Sequence, residues 1–226
     1  MMGSVTSSDN PLGQLSAYPD EYDASLLFPI DRDESWKASG QTRADIQFFG
    51  VDIWNGYEVS WLNAKGKPVV CRGEFRVPAS SPYLIESKSF KLYLNSFNQT
   101  RFVDTESARQ RMVVDLSEAA GAEVSVQFHA ADATYPTAPE AILIDDLDVD
   151  IRSYEPDASL LNTQEGSHFS GWLVSHLLKS NCPVTGQPDW GSLYVFYEGN
   201  EIDQAGLLAY IVSLRQHQDF HEQCVE

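Results

Sequence analysis

Residues 180–190 read SNCPVTGQPDW. Cys182, preceded by Asn and followed by Pro, belongs in a turn, where a thiol can face a cleft, and Asp189 follows closely enough for the chain to return to it. A thiolate nucleophile with a carboxyl proton partner is one chemistry open to this pair. A small buried residue and a turn carboxylate is the plainer reading of the same residue types. Residues 219–224 read DFHEQC, in which His221 beside Glu222 near a helix start can orient a substrate or relay protons, although adjacent helical residues point in different directions. Cys182, His221 and Cys224 together would also supply three zinc ligands, though no CxxC accompanies them. Glu86, Ser87, Lys88 and Lys91 open a helix whose terminal amides attract anions, and the lysines are two of only 15 basic residues. A phosphate-bearing cofactor fits there, as does a solvated helix face. The acidic run IDDLDVD at 144–150 lacks the Gly and distal Glu of a calcium loop, and its alternation reads as a strand with one wet face.

The elements that must position these residues follow from periodicity. Residues 1–40, rich in Ser, Asp, Pro and Gly, read as an irregular arm. Alternation over 57–62 and 68–77 around AKGK predicts a hairpin. The stripe Phe90, Tyr93, Leu94, Phe97 predicts a helix over 86–97, and Ala108, Met112, Val113, Leu116 and Ala119 predict a second over 105–119. Strands are expected over 124–129 and 142–151, separated by the Pro-rich ADATYPTAPE. After a linker over 154–171, strands at 172–178 and 192–197 and a helix over 203–215 begin the same order again, Asp203 favouring the helix start. Tyr, Ser and Gln recur at one offset between YLNSFNQTRF and YIVSLRQHQDF, a weak repeat on its own.

Composition narrows the function classes. The chain has 226 residues, 42% apolar and 21% charged, a globular mix. Fifteen Lys and Arg against 33 Asp and Glu give a net charge of −18, which repels phosphate backbones and anionic lipid, so nucleic acid is not expected as a direct partner. The longest apolar run, 207–212, is far short of the about 20 residues a membrane-spanning helix needs. With three cysteines, too few and too separated for a disulfide framework, and no signal-peptide pattern at the start, a reducing cytoplasm is the expected compartment.

ESKSFKLY from Glu86 resembles the signature stretch of the QueF family, the NADPH-dependent 7-cyano-7-deazaguanine reductases, and SNCPVTGQPDW and FHEQC resemble that family's catalytic and substrate segments. The order of motifs, over about 22–226, is similar to the two-module branch. The resemblance implies an α+β fold of two tandem tunnelling-fold modules, over 41–153 and 154–226, each of antiparallel strands and paired helices, assembled as a homodimer. By the same resemblance Cys182 adds to the nitrile carbon to give a covalent thioimide, Asp189 delivers a proton to the nitrile nitrogen, and His221 aids the second transfer. Ile85, Glu86, Ser87, His221 and Glu222 would then contact the base, and Ser87 and Lys88 the NADPH, with no metal. The substrate would be a free base of the queuosine pathway. Family members continue past the position of Glu226 through the rest of a helix and two strands, including an Arg-Gly-Gly stretch that contacts NADPH, so the second module is expected to be incomplete. Two other functions stay open on the residues alone. One is a zinc-dependent enzyme like GTP cyclohydrolase I, with Cys182, His221 and Cys224 as ligands; the other is a purine-binding module without catalysis.

Overall fold

Two hairpins of unequal length organise the chain. The structure, a computed structural model, describes Pro19, residues 21–34 and residues 48–225. The strands are β1 (Pro29–Asp31), β2 (Val51–Leu62), β3 (Pro68–Pro78), β4 (Tyr83–Ile85), β5 (Ser125–His129), β6 (Ile142–Leu143), β7 (Thr163–Asn181) and β8 (Pro188–Ile202). The α-helices are α1 (Ser87–Ser96), α2 (Thr105–Ala120), α3 (Gln204–Ser213) and α4 (His221–Val225). This is a mixed α+β architecture of mainly antiparallel sheets, and it divides into two compact units, one reaching Tyr135 and the other Pro136–Val225.

In the first unit β2 and β3 form the expected hairpin, paired from Val51↔Pro78 to Leu62↔Pro68 with a bulge between Gly56 and Val59, and β5 pairs with the other side of β3. One face of this sheet buries Val59, Trp61, Phe75 and Val77 against Phe90 and Tyr93 of α1, Phe97 at its C-cap, and Ala108, Met112 and Leu116 of α2. The helical stripes read from the sequence are thus the buried faces. Glu86 caps α1, Asp104 caps α2 by accepting from the Ser107 amide, and Gly121, at φ 67°, ends α2 in the left-handed region open to glycine.

The expectation of an irregular arm over 1–40 needs correcting where the structure describes it; residues 1–18, 20 and 35–40 lie outside the described residues. Asp23 caps a 3-10 turn at Ala24–Leu26, and β1 pairs antiparallel with β4. Tyr22 donates its hydroxyl to Asp115 (2.7 Å), whose same oxygen accepts from the buried Tyr93 hydroxyl (2.8 Å). Burial, reinforced by Asp115, pushes the Tyr22 phenol up to about 12 and Tyr93 further still. The partners of this segment lie 61 to 93 residues away in sequence, which is why no local period reveals them.

In the second unit β7 and β8 pair antiparallel from Thr163↔Ile202 to Asn181↔Pro188. The second half of the expected linker over 154–171 is the start of β7, whose sheet face packs Phe169 on Tyr197 and encloses Leu173 with Leu207, Leu208 and Ile211 of α3. The strand expected over 142–151 shortens to β6, which pairs parallel to β7 at Leu173 and Val174. The acidic run then turns away instead of extending: Ile144 is buried and Asp145 accepts from the His176 amide (2.9 Å).

The two units repeat local structure more closely than three shared residues suggest. Helices α1 and α3 have the same length and are capped by Glu86 and Asp203, and at their ends Ser96 and Ser213 each donate a hydroxyl to the carbonyl three residues back, of Tyr93 and Tyr210, at 2.6 Å. DASLL occurs at 23–27 and 157–161, and both copies form a 3-10 turn in which the Asp accepts from the Ser amide at 2.9 Å. A Cβ at Gly206 of α3 would lie 2.3 Å from the Leu160 carbonyl, so only glycine lets the second turn pack there; the corresponding Ser89 accepts from the Phe28 amide instead.

Candidate active site

Cys182 sits on the turn joining β7 to β8. Its amide donates to the Gln187 carbonyl (2.8 Å), and its own carbonyl accepts from Gly186 (2.9 Å), which takes φ 68°. Pro183 and Gly186 therefore close a short loop that leaves the thiol half-exposed. Asp189, the second residue of β8, pairs across the ladder with the buried Ser180. Residues directly opposite in an antiparallel pair share a face. The return of the chain expected from the motif is thus a strand pairing.

The Asn181 amide donates to the His217 carbonyl (2.8 Å), and Asn181 bridges in parallel to Gln218. This holds the segment that leads into α4 along the end of β7. His221, the first residue of α4, is exposed, while Glu222 and Cys224 are half-buried. The Cys224 thiol is pushed up to about 11, chiefly by burial; the Ser180 hydroxyl pulls it down, and the carboxylates of Asp219, Glu222 and Asp189 raise it. Cys224 is thus within electrostatic reach of Ser180 and of the carboxylates of Asp189, Asp219 and Glu222. Ser180 went unremarked in the motif; its two-residue spacing from Cys182 at the end of a strand was the available signal. Among the described residues no three His, Cys, Asp and Glu side chains are grouped to hold a metal ion, Cys182, His221 and Cys224 included.

Ile85, Glu86, Ser87 and Lys88 belong to the first unit. Ile85 ends β4 and is buried, and the Glu86 amide donates to the Phe28 carbonyl (2.9 Å). The Glu86 carboxylate, 1% exposed, accepts from the amides of Lys88 (2.8 Å) and Ser89 (2.7 Å). The helix-start amides read from the sequence as an anion site are therefore committed to a side chain of the chain itself; Ser87, an exposed residue, places its hydroxyl 3.5 Å from Glu86 Oε1, and Lys88 is partly exposed.

The class defined by these features is an α+β protein of two units, one carrying a carboxylate-capped signature helix and the other a thiol on a hairpin turn. Residues 18–128 match the family profile described as nitrile reductase, 7-cyano-7-deazaguanine-reductase N-term. Curated proteins similar to this chain include the NADPH-dependent 7-cyano-7-deazaguanine reductase of Cupriavidus metallidurans, 54% identical over 224 residues that cover 96% of this chain and 80% of that protein. Those of Bordetella avium, 53% identical over 97% of this chain and 81% of theirs, and Dechloromonas aromatica, 52% identical over 96% and 78%, carry the same name. The chain belongs to the family of NADPH-dependent 7-cyano-7-deazaguanine reductases. Among the described residues no helix is long and apolar enough to cross a membrane.

Proposed function

We propose that this chain reduces the nitrile of 7-cyano-7-deazaguanine to the aminomethyl group of 7-aminomethyl-7-deazaguanine, with NADPH as reductant and Cys182 as nucleophile. The observation that carries the reading is the hairpin, a half-exposed thiol on a closed turn with Asp189 on the returning strand, in a chain 54% identical to a reductase of that name.

The thiolate is the reactive form, so Cys182 gives up its proton before its sulfur adds to the nitrile carbon. A C–S bond forms, one π pair of the nitrile moves to nitrogen, and Asp189 delivers a proton to that nitrogen, giving a thioimide with nothing expelled. His221 supports the proton transfer of the second reduction. Glu222 and Glu86 accept from the amino group and ring N–H groups of the base, beside Ile85 and Ser87. Glu86 Oε2 accepts one amide proton and keeps a second acceptor direction, while Oε1 accepts from the Lys88 amide and, at 3.5 Å, from the Ser87 hydroxyl, a weak bond that an incoming donor can replace, so capping and substrate recognition are compatible. NADPH, when bound, would supply one hydride, and two NADPH in succession would supply the two that the four-electron reduction needs. The Ser87 hydroxyl and Lys88 fit its phosphate groups, whereas the Lys88 and Ser89 amides do not, being held by Glu86.

The two units are read as tunnelling-fold modules of a homodimer working in the cytoplasm, on a free base of the queuosine route and without direct contact to nucleic acid. The net charge of −18 supports the free base over tRNA. The test follows NADPH absorbance with limiting base. Two NADPH consumed per nitrile, and none with Cys182→Ala, is the expected result; undiminished reduction by Cys182→Ala contradicts the reading.

A further inference from the structure

The segment that carries Cys182 and the segment that carries His221 and Glu222 are tied together by side chains with no part in the reaction described above. The Lys179 ammonium donates to the Asn181 side-chain oxygen (2.6 Å) and to the Arg215 carbonyl (2.8 Å). The Asn181 side-chain amide reaches the same carbonyl (3.5 Å), and its backbone amide holds the His217 carbonyl (2.8 Å). Arg215 lies in the 3-10 turn Leu214–Gln216 that continues α3, so its carbonyl is among those left without an intrahelical partner at the end of a helix. A lysine ammonium is a favourable group at that position, since it both caps the carbonyl and opposes the negative end of the helix dipole.

The first unit offers an internal comparison. There the end of β2 meets the segment before α2 in the same way, with the Leu62 amide donating to the Thr100 carbonyl and the Phe102 amide to the Leu62 carbonyl, both at 2.9 Å. Leu62 stands where Asn181 stands in the second unit and has no polar side chain to add. The clamp on the Arg215 carbonyl is therefore an addition made at the hairpin that carries the thiol.

We propose that Lys179 and Asn181 are positioning residues, which fix the distance between the Cys182 turn and the segment leading to His221 and Glu222. This rests on the reading of Cys182 as nucleophile and Glu222 as a base contact. With the clamp intact, base seated on Glu222 presents its nitrile carbon to a sulfur already in place; without it, only the backbone pairing of Asn181 with the 217–218 segment remains, and the spacing between the turn and the α4 segment loosens. Misplacement on the scale of an ångström lowers the rate of addition more than it lowers affinity.

The experiment compares the full chain with Lys179→Met, Asn181→Leu and Lys179→Arg. Three quantities are read: the single-turnover rate of covalent adduct formation with 7-cyano-7-deazaguanine by quenched mass spectrometry, base affinity by calorimetry, and amide hydrogen exchange over 179–190 and 214–222. In Lys179→Met and Asn181→Leu the adduct should form about tenfold to a hundredfold more slowly, with base affinity changed much less and exchange faster in both segments. Lys179→Arg, which keeps a donor for the carbonyl, should recover most of the rate. Wild-type adduct rates in both disruptive variants, or unchanged exchange, overturn the proposal. If a disruptive variant fails to fold by circular dichroism, Lys179→Ala, which has no donor for the carbonyl, replaces it under the same criteria. Failure of the underlying reading shows differently, as adduct formation by Cys182→Ala or none by the wild-type chain, and the exchange measurement still decides whether the clamp exists.

Discussion

Three thiols with different surroundings make the residue scale testable. Burial pushes Cys71 and Cys224 each up from 9.0 to about 11; Cys71 is buried, whereas Cys182 and Cys224 are both partly exposed, Cys182 on its turn and Cys224 in α4. A thiol with a raised pKa stays protonated in the fold while the unfolded chain ionises near 9, so what these two groups lend to stability is complete below pH 9 and is lost as the pH rises toward 11. Iodoacetamide at pH 8 should therefore modify Cys182 first, Cys224 more slowly and the buried Cys71 only on unfolding; peptide mapping that finds Cys224 modified first would contradict this placement. Glu222 gives a second check. Glu222→Gln keeps one acceptor for the base, whereas Glu222→Leu leaves buried donors unpaired at about 1 to 3 kcal/mol each, so calorimetry should find the Leu variant clearly the weaker binder. Equal affinities would make Glu222 a bystander.

Caps and turns carry the elements. Glu86 occupies the amides at the start of α1 with both carboxylate oxygens, so Glu86→Ala should cost about 0.5 to 2 kcal/mol of stability in urea unfolding in addition to any loss of base binding. The equivalent Asp203→Ala in the second unit should lower stability by a comparable amount, and a Glu86→Ala chain as stable as wild type would refute the capping role. Tyr93→Phe removes a hydroxyl bonded to the buried Asp115 and should cost about 1.5 to 3 kcal/mol, read from the same unfolding curves. These elements also mark what a sequence makes legible. The first hairpin, α1, α2 and the start of α3 were readable, because a sheet or helix that buries one face writes its own period into the chain. The first half of β7 was not: TQEGSHFS has polar residues and a glycine, and its strand conformation comes from pairing with β8, not from local preference. The acidic run misled for the opposite reason, since its alternation is that of a strand while Asp145 is turned to cap the His176 amide. Within the site, Cys182 and Asp189 were legible from turn residues and spacing. The Lys179 clamp was not, because its acceptor is a backbone carbonyl and leaves no residue type in the sequence.

At the scale of the molecule, each unit repeats a turn, a hairpin and a capped helix, with the signature helix in one and the thiol hairpin in the other. The central claim is that Cys182, alone of the three cysteines, takes the nitrile carbon onto its sulfur. Intact mass spectrometry of the full chain mixed with 7-cyano-7-deazaguanine in the absence of NADPH measures this most directly. Addition expels nothing, so the protein should gain the whole mass of the base at one site, peptide mapping should assign it to 180–190, and Cys182→Ala should gain nothing. The same adduct on Cys182→Ala, or an adduct mapped to Cys71 or Cys224, would contradict the account.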